Sequence, residues 1–268
     1  MEQLRQLEAL LRSYQRVAIA FSGGIDSTLL AFYANQVLGR ENVWVVIGNS
    51  ELHKEEETQA AVDVAQQYGW QYHVVELNEL ACDQIRYNQP DSWYFSKVLL
   101  YQAVIEFAQT QNIQTVCDGM ILDDLKDYRP GLRAREDLGI VSPLIMAKFD
   151  KQLVREAAKS LGIVTWNQIP SCSLISRFPY RSEISLEAIA KVNQVEALLK
   201  QAGFSHSRAR YYQSLVKIEL PQSELDTFIS YYAQWNEQIK AIGFKNVALD
   251  LEGYQTGNMN ATIKNGDR

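Results

Sequence analysis

The sequence has no uninterrupted apolar run near the ~20 residues that a membrane-spanning helix requires. Its three cysteines, Cys82, Cys117 and Cys172, are too few for a disulfide framework and odd in number. None belongs to a C-x-x-C pair of the kind that ligates zinc or iron–sulfur clusters. An excess of positive charge is also missing. Lys and Arg number 26 against 32 Asp and Glu, a net charge of −6, which argues against broad nucleic-acid binding. The opening stretch MEQLRQLEALLRSYQR is a charged amphipathic helix with Leu4, Leu7, Leu10 and Leu11 on one side. It lacks the apolar core of a signal peptide. These absences set the expectation of a cytoplasmic protein with free thiols and no membrane or nucleic-acid partner. No internal repeat or low-complexity segment stands out.

What is there reads as one or two globular domains in 268 residues, 47% of them hydrophobic and 22% charged. Apolar runs alternate with helical patterns. Strands are expected at 17–21, 43–48, 72–77 and 115–119, with helices at 28–38, 54–68, 92–109 and 150–161. Gly39, Gly69 and Gly162 stand at helix ends. That order implies α/β architecture, with a parallel sheet covered by helices on both faces, spanning residues 1–162. Pro170 and Pro179 interrupt residues 163–184, which read as a linker crossing back over the cleft. Residues 185–268 read as a smaller α+β domain. It holds a helix at 185–200 capped by Ser185, strands at 208–212 and 216–220, a helix at 223–239, a strand at 246–251 and a polar tail from Gly257.

The first strand ends in Ser22-Gly23-Gly24-Ile25-Asp26-Ser27, and a helix begins at once. Two glycines allow positive φ and a close backbone approach to a ligand. The amides of the loop and first helical turn then converge on one anion site. The Walker pattern is absent, because no lysine follows the glycines. A plainer alternative is a helix N-terminus capped by Asp26 or Ser27. Ser-Gly-Gly-x-Asp-Ser after a strand resembles the pyrophosphate loop of the ATP pyrophosphatases, which cleave ATP between the α- and β-phosphates. On that resemblance Ser22, Gly23, Gly24 and Ser27 hold pyrophosphate, and Asp26 works through Mg²⁺. In a parallel sheet, ligands bind beyond the carboxyl ends of the strands. Asn49-Ser50-Glu51 and Asp118-Gly119-Met120 therefore belong to the same expected cleft, with Asn49, Ser50 and Gly119 as further nucleotide contacts.

Three other stretches carry candidate chemistry. Residues 118–135 are rich in carboxylate and arginine. Arg129, Arg133 and Arg135 are suited to bidentate pairing with phosphate, or to ion pairs within a solvated loop. In Pro170-Ser171-Cys172-Ser173-Leu174-Ile175-Ser176-Arg177-Phe178-Pro179-Tyr180, a cysteine sits between serines, outside the apolar setting of a core cysteine. Arg177 favours its thiolate. Such a thiolate can attack an adenylated carboxylate and expel AMP; an exposed, inert thiol is the alternative. Cys117 reads as core, and Cys82 as part of an amphipathic helix. Arg208 and Arg210 alternate onto one strand face and need an anion there. Glu196 and Glu219 are candidate partners, and a surface ladder of charges is the plain alternative.

Taken together, SGGIDS (22–27), PDSWYFSK (90–97), DYRPGLRAR (127–135), SCSLISRFPY (171–180), ARYY (209–212) and KIELP (217–221) resemble the LarE family. These are ATP-dependent sacrificial sulfur transferases of nickel-pincer nucleotide synthesis, first known from lactate racemase. The resemblance covers nearly the whole chain and implies a parallel-sheet PP-loop domain of the adenine nucleotide α-hydrolase-like kind. It implies Mg-ATP and a pyridinium mononucleotide bearing two carboxylates as substrates. It also implies a thioester on Cys172, β-elimination, and dehydroalanine left at that position. Carried over by position, Trp93, Ser176, Arg177, Glu196, Arg208, Arg210 and Glu219 bind substrate, phosphate or metal or assist the chemistry. Glu196 and Glu219 are the candidate bases. Asp226 stands one residue before the position, Thr227, where a metal-binding carboxylate is expected. A homohexamer with contacts from the C-terminal domain, and a downstream nickel-inserting cyclometallase, follow from the same resemblance. Arg181 departs from the pattern, since a small residue such as glycine is expected there, and Gln255 and Asn258 stand where arginine is frequent. Three other readings compete: an amide-forming ATP pyrophosphatase similar to NAD synthetases, thiolation from an external sulfur donor, and a non-catalytic nucleotide-binding regulator.

Overall fold

The computed structural model describes residues 2–126, 131–163 and 173–255. The chain divides into two compact units, one of residues 1–79 and 91–171, the other of residues 80–90 and 172–268. The sequence reading kept 1–162 whole and did not anticipate the excursion of 80–90.

In the first unit, helix α1 (Glu2–Tyr14) leads into strand β1 (Val17–Ala20), helix α2 (Ile25–Leu38), β2 (Val43–Ser50), α3 (Glu55–Gln67) and β3 (Gln71–Leu77). The second unit takes α4 (Asp83–Arg86). The first resumes with α5 (Ser92–Thr110), β4 (Thr115–Asp118), α6 (Gly131–Asp137), α7 (Pro143–Met146) and α8 (Lys151–Ser160). The four strands form a wholly parallel sheet in the order β3-β2-β1-β4.

Strand alternation sorts the side chains onto two faces. Val17, Ile19, Val43, Val45, Ile47 and Cys117 join one apolar cluster with Leu7, Leu11, Leu29, Leu30, Val154 and Phe149. Ala18, Ala20, Val46 and Val116 join another with Tyr101, Val104 and Ala108 of α5. Burial on both faces is why these strands read as continuous apolar runs, the pattern of parallel sheets. Gly39 and Gly69 end α2 and α3 with positive φ (83° and 66°), as their positions in the sequence imply.

The second unit holds a 3-10 turn at Leu174–Arg177, helix α9 (Leu186–Gln201), strands β5 (Arg208–Tyr212) and β6 (Leu215–Glu219), helices α10 (Leu225–Ser230) and α11 (Tyr232–Ala241), and β7 (Asn246–Leu249). Its sheet runs β5-β6-β7, antiparallel then parallel. The expected single helix at 223–239 is two helices. The Trp235 indole N–H donates to the Phe228 carbonyl at 3.0 Å, an acceptor that a continuous helix needs for residue 232. Phe228 and Trp235 stack at 5.6 Å, with Phe204 edge-on to both.

Residues 80–90 are tied to 178–184 by hydrogen bonds. Asn88 donates to the carbonyls of Phe178 and Pro179, the Arg181 amide donates to Asn88, and the Ile184 amide donates to Arg86. Arg181 has φ 64°. This left-handed backbone favours glycine, the physical ground for expecting a small residue there.

Ser185 accepts from the Ala188 amide and caps α9. We expect Ser185→Ala to lower unfolding free energy by about 1 kcal/mol, and Ser185→Asp to retain most of it. Urea denaturation checks this; equal stability of all three proteins would show that the cap contributes nothing.

Candidate active site

The chain runs from β1 outward to β2 and β3, then returns to place β4 on the other side of β1. That reversal leaves a crevice beyond the carboxyl ends of β1 and β4, the usual ligand position of such sheets. Residues 22–27 leave β1 at this point, and Gly119 follows β4. A Cβ at Gly119 would lie 2.7 Å from the Ser27 amide nitrogen and 2.8 Å from its Cα. Only glycine lets the two segments meet so closely. Gly23 has φ 73°, and a Cβ there would lie 3.1 Å from Ala61 of α3.

Ser22 and Ser27 hydroxyls lie 3.2 Å apart, and the Ser27 hydroxyl donates to the Gly24 carbonyl at 3.1 Å. The loop is thus formed by its own hydroxyls. Gly24 occupies the cap position of α2 with no side-chain cap hydrogen bond, so neither Asp26 nor Ser27 is a helix cap. The first-turn amides of α2 open at this end.

Asp26 does not stand alone. Lys151, the first residue of α8, approaches its two carboxylate oxygens at 3.0 and 2.8 Å. The Lys151 amide donates to Asp123 at 2.7 Å, and Asp150 caps α8 by accepting from Leu153. Burial lifts the Asp26 carboxyl above its ordinary range, further raised by nearby Asp124 and opposed by Lys151. The sequence reading missed Lys151. A lysine in the first turn of a helix faces the unfavourable end of the helix dipole, and that was the available signal.

Asp118 is buried and used internally. It accepts from the Tyr101 hydroxyl at 2.8 Å, the Ser142 hydroxyl at 2.6 Å and the Met120 amide at 3.2 Å. Arg135 donates to Ser142 at 3.2 Å, so it braces this network instead of facing phosphate. Asn49 donates to Glu76 at 2.9 Å and accepts from Thr58 at 3.1 Å. Ser50 donates to buried Glu79. Arg133 is exposed on α6, with its guanidinium 4.0 Å from the centre of the Tyr94 ring and 3.6 Å from Asp137. Trp93 is half-buried in the first turn of α5. Cys172 and Arg129 lie outside the described residues, as do residues 164–172 of the expected crossing segment.

Within the second unit, two ion pairs are buried. Arg177 meets Glu196 through paired contacts at 2.9 and 3.2 Å, and Glu196 also accepts from the Ala209 amide at 3.1 Å. Arg210 meets Glu219 at 2.9 and 2.6 Å and also donates to the Ser176 carbonyl. Arg177 donates to the Ser176 hydroxyl at 2.7 Å. Lys217 bridges Glu219 at 3.1 Å and Asp250 at 2.7 Å. Glu219 thus partners Arg210 as expected, whereas Glu196 takes Arg177 and not a β5 arginine. Arg208 donates to the Ser207 carbonyl at 2.9 Å and lies 5.1 Å from the centre of the Tyr254 ring.

The fit to Mg²⁺ differs among the three expected ligands. Mg²⁺ is usually held by one or two carboxylates together with phosphate oxygens and water, and Asp26 beside the loop suits that mode. Glu196 has both oxygens committed to Arg177 and an amide, which argues against a metal role. Asp226 is exposed in the first turn of α10. Among the described residues, no group of three or more His, Cys, Asp or Glu is placed to hold a metal. No described helix is long and apolar enough to cross a membrane.

Of the other cysteines, Cys117 is fully buried, and burial pushes its thiol well above the ordinary range, which disfavours the thiolate. Cys82 immediately precedes the four-residue α4 and so is not on a longer amphipathic helix.

The NAD synthase family profile matches residues 5–92, the stretch that contains β1, the loop and β2. With the parallel sheet, this defines the class as a PP-loop α/β protein of the ATP pyrophosphatase kind. A short match reaches the glutamine-dependent NAD(+) synthetase of Aquifex aeolicus, 37% identical over 67 residues, 25% of this chain and 12% of that protein. Two relatives are similar over nearly their whole lengths. The pyridinium-3,5-bisthiocarboxylic acid mononucleotide synthase of Lactiplantibacillus plantarum is 42% identical over 257 residues, 96% of this chain and 93% of its own. An uncharacterized protein of Synechocystis is 36% identical over 262 residues, 97% of each. The chain belongs to the LarE family.

The raised Asp26 carboxyl gives a signed pH dependence. A carboxyl that holds its proton more tightly folded than unfolded lowers stability as pH rises from 3.8, its ordinary value, through its raised value. Asp26→Asn removes this titration. The stability of the variant minus that of the wild type should therefore grow from acid towards neutral pH. A difference constant with pH in denaturation series would contradict it.

Proposed function

We propose that this protein is an ATP-dependent sulfur transferase acting on a pyridinium mononucleotide that bears two carboxylates. The observation that carries the reading is the loop 22–27, closed by its own serines and packed against Gly119 at the reversal point of the sheet. Family membership supplies the substrate class, since the L. plantarum relative is named as the bisthiocarboxylic acid synthase.

In this proposal a substrate carboxylate oxygen attacks the α-phosphorus of ATP, and the bond to the β-phosphate oxygen breaks, releasing pyrophosphate. The loop amides and the hydroxyls of Ser22 and Ser27 stabilise that leaving group. Mg²⁺, where bound, would supply further charge neutralisation, and Asp26 would be the residue to hold it. The Cys172 thiolate then attacks the acyl carbon, and AMP departs with the bonding electron pair. A base removes the Cys172 Cα proton, the electron pair forms the Cα–Cβ double bond, and the Cβ–S bond breaks. The product leaves as a thiocarboxylate, and dehydroalanine stays in the chain.

Glu219 and Glu196 are each held by an arginine within the second unit. In their charged, paired states they orient Arg210 and Arg177, and positioning is the role their geometry favours over proton abstraction. Arg208, Arg210, Ser176 and Trp93 are the proposed substrate contacts, and Asn49, Ser50, Arg129 and Arg133 remain proposed nucleotide contacts. Residues 163–184 would carry the donor cysteine, and 185–268 the substrate and oligomer contacts. A cytoplasmic location, a homohexamer and delivery to a nickel-inserting cyclometallase complete the proposal.

The match of residues 5–92 to NAD synthase favours a second reading, an amide-forming enzyme that needs the adenylate but no cysteine. Two measurements separate them. Intact-protein mass spectrometry after turnover with Mg-ATP and substrate should show loss of one sulfur and two hydrogens, and Cys172→Ala should abolish product. An unchanged mass in product-forming protein rejects the sacrificial step, and full activity in Cys172→Ala favours the amide reading.

A further inference from the structure

Residues 80–90 belong to the second unit, although the chain before and after them belongs to the first. Their hold on the second unit centres on Asn88, a fully buried residue. Its side-chain nitrogen donates to two successive carbonyls, Phe178 at 2.8 Å and Pro179 at 3.1 Å. Its own carbonyl accepts from the Arg181 amide at 2.9 Å, and the Arg86 carbonyl accepts from the Ile184 amide at 2.7 Å. Residues 178–185 lie in no helix or strand. Residues 86–88 therefore supply the partners that regular structure gives backbone groups elsewhere.

Such a clasp is costly for an ordinary connection. Asn88 has φ 41°, in the left-handed region that asparagine enters more readily than most residues. Its side-chain amide is taken out of water, a loss that only well-made hydrogen bonds offset. Connections on a protein surface leave such groups to solvent. This connection has a particular neighbour in sequence. The described segment starts at residue 173, next after Cys172, the proposed sulfur donor. Its first part, Leu174–Arg177, is tied down by the Arg177–Glu196 pair and by Arg210 on the Ser176 carbonyl. The Phe178 side chain is fully buried, its ring 5.4 Å from that of Tyr211. Asn88 fastens the part that follows.

We propose that Asn88 is a positioning residue for the sulfur-transfer half of the reaction, fixing the chain at 178–181 so that the segment following Cys172 is held in place when the acyl adenylate is attacked. The inference rests on the reading of Cys172 as the sulfur donor and adds a residue to it. Asn88 exchanges no proton and touches no reacting atom. It serves two steps that both demand alignment: attack of sulfur on the acyl carbon, and the elimination, in which the Cα–H and Cβ–S bonds of one residue break. A displacement of about 1 Å at such a centre costs about a hundredfold in rate. Adenylation draws on residues 22–27 and needs nothing from Asn88.

The test compares Asn88→Gly and Asn88→Ala with wild type, using the full chain, Mg-ATP and the pyridinium dicarboxylate mononucleotide. Glycine accepts the left-handed backbone without strain and removes only the two donated bonds. Sulfur transfer is read as the single-turnover rate at which the intact protein loses one sulfur and two hydrogens. Adenylation is read as substrate-dependent exchange of labelled pyrophosphate into ATP. The exchange is measured in Cys172→Ala protein with and without Asn88→Gly, so that no thiol consumes the adenylate. Asn88→Gly should slow transfer roughly tenfold to a hundredfold and leave exchange unchanged, and Asn88→Ala should slow transfer at least as much. Equal slowing of transfer and exchange would make Asn88 a general stabiliser of the fold and overturn the inference. Transfer at the wild-type rate in Asn88→Gly overturns it as well. Where neither variant gives a cooperative urea transition, hydrogen exchange on the wild type decides. The Arg181 and Ile184 amides should then exchange as slowly as those within α9, and exchange at the rate of an open loop overturns the inference. Wild-type protein that makes product without losing its sulfur overturns the donor reading and this inference together.

Discussion

The absence of a side chain at residue 119 is the constraint on which the nucleotide half of the molecule depends. β4 can deliver its exit against the start of α2 only because no Cβ stands between Gly119 and the Ser27 backbone. The parallel sheet brings the two strand ends side by side, and the residues on its two faces are buried by helices. The loop amides are thereby aimed before any ligand arrives. An oriented set of dipoles stabilises negative charge without reorganising at the moment it forms.

Charge is arranged differently in the two units. In the first, Asp118 is consumed by Tyr101 and Ser142 and fixes the strand end, leaving Asp26 and Lys151 as the charged pair beside the loop. In the second, Arg177–Glu196 and Arg210–Glu219 are buried pairs. Removing one member of such a pair typically costs about 3–5 kcal/mol, because the other is left charged and buried. These pairs, with the Arg210 bond to the Ser176 carbonyl, fasten the turn at Leu174–Arg177 to α9 and β5. Ser173 caps that turn, so the described segment that begins at residue 173 is anchored from its start.

The fold was legible where periodicity and punctuation agreed. The four parallel strands, the long α5, the glycine-ended helices and the Ser185 cap all followed from local pattern. The split of α10 from α11 did not; it coincides with the Trp235 indole taking the Phe228 carbonyl, a contact that local pattern does not reveal. The excursion of residues 80–90 into the second unit rests on Asn88 and Arg86, whose bonds to 178–184 span some 90 positions of sequence. The loop itself was legible as glycines after a buried strand. Its charge partner was not, since Lys151 reaches it only through tertiary packing. Strand alternation put Arg208 and Arg210 on one face with Glu219 and Glu196 as candidate partners; Glu219 meets Arg210, but Glu196 goes to Arg177, a residue in an irregular segment where no periodicity predicts direction.

The central claim is that residues 22–27 hold the outer phosphates of ATP as a leaving group. The products of ATP consumed in the presence of the pyridinium dicarboxylate substrate report on this directly. The account predicts AMP and pyrophosphate in equal amounts, as cleavage between the α- and β-phosphates requires. ADP and inorganic phosphate as the primary products would contradict it.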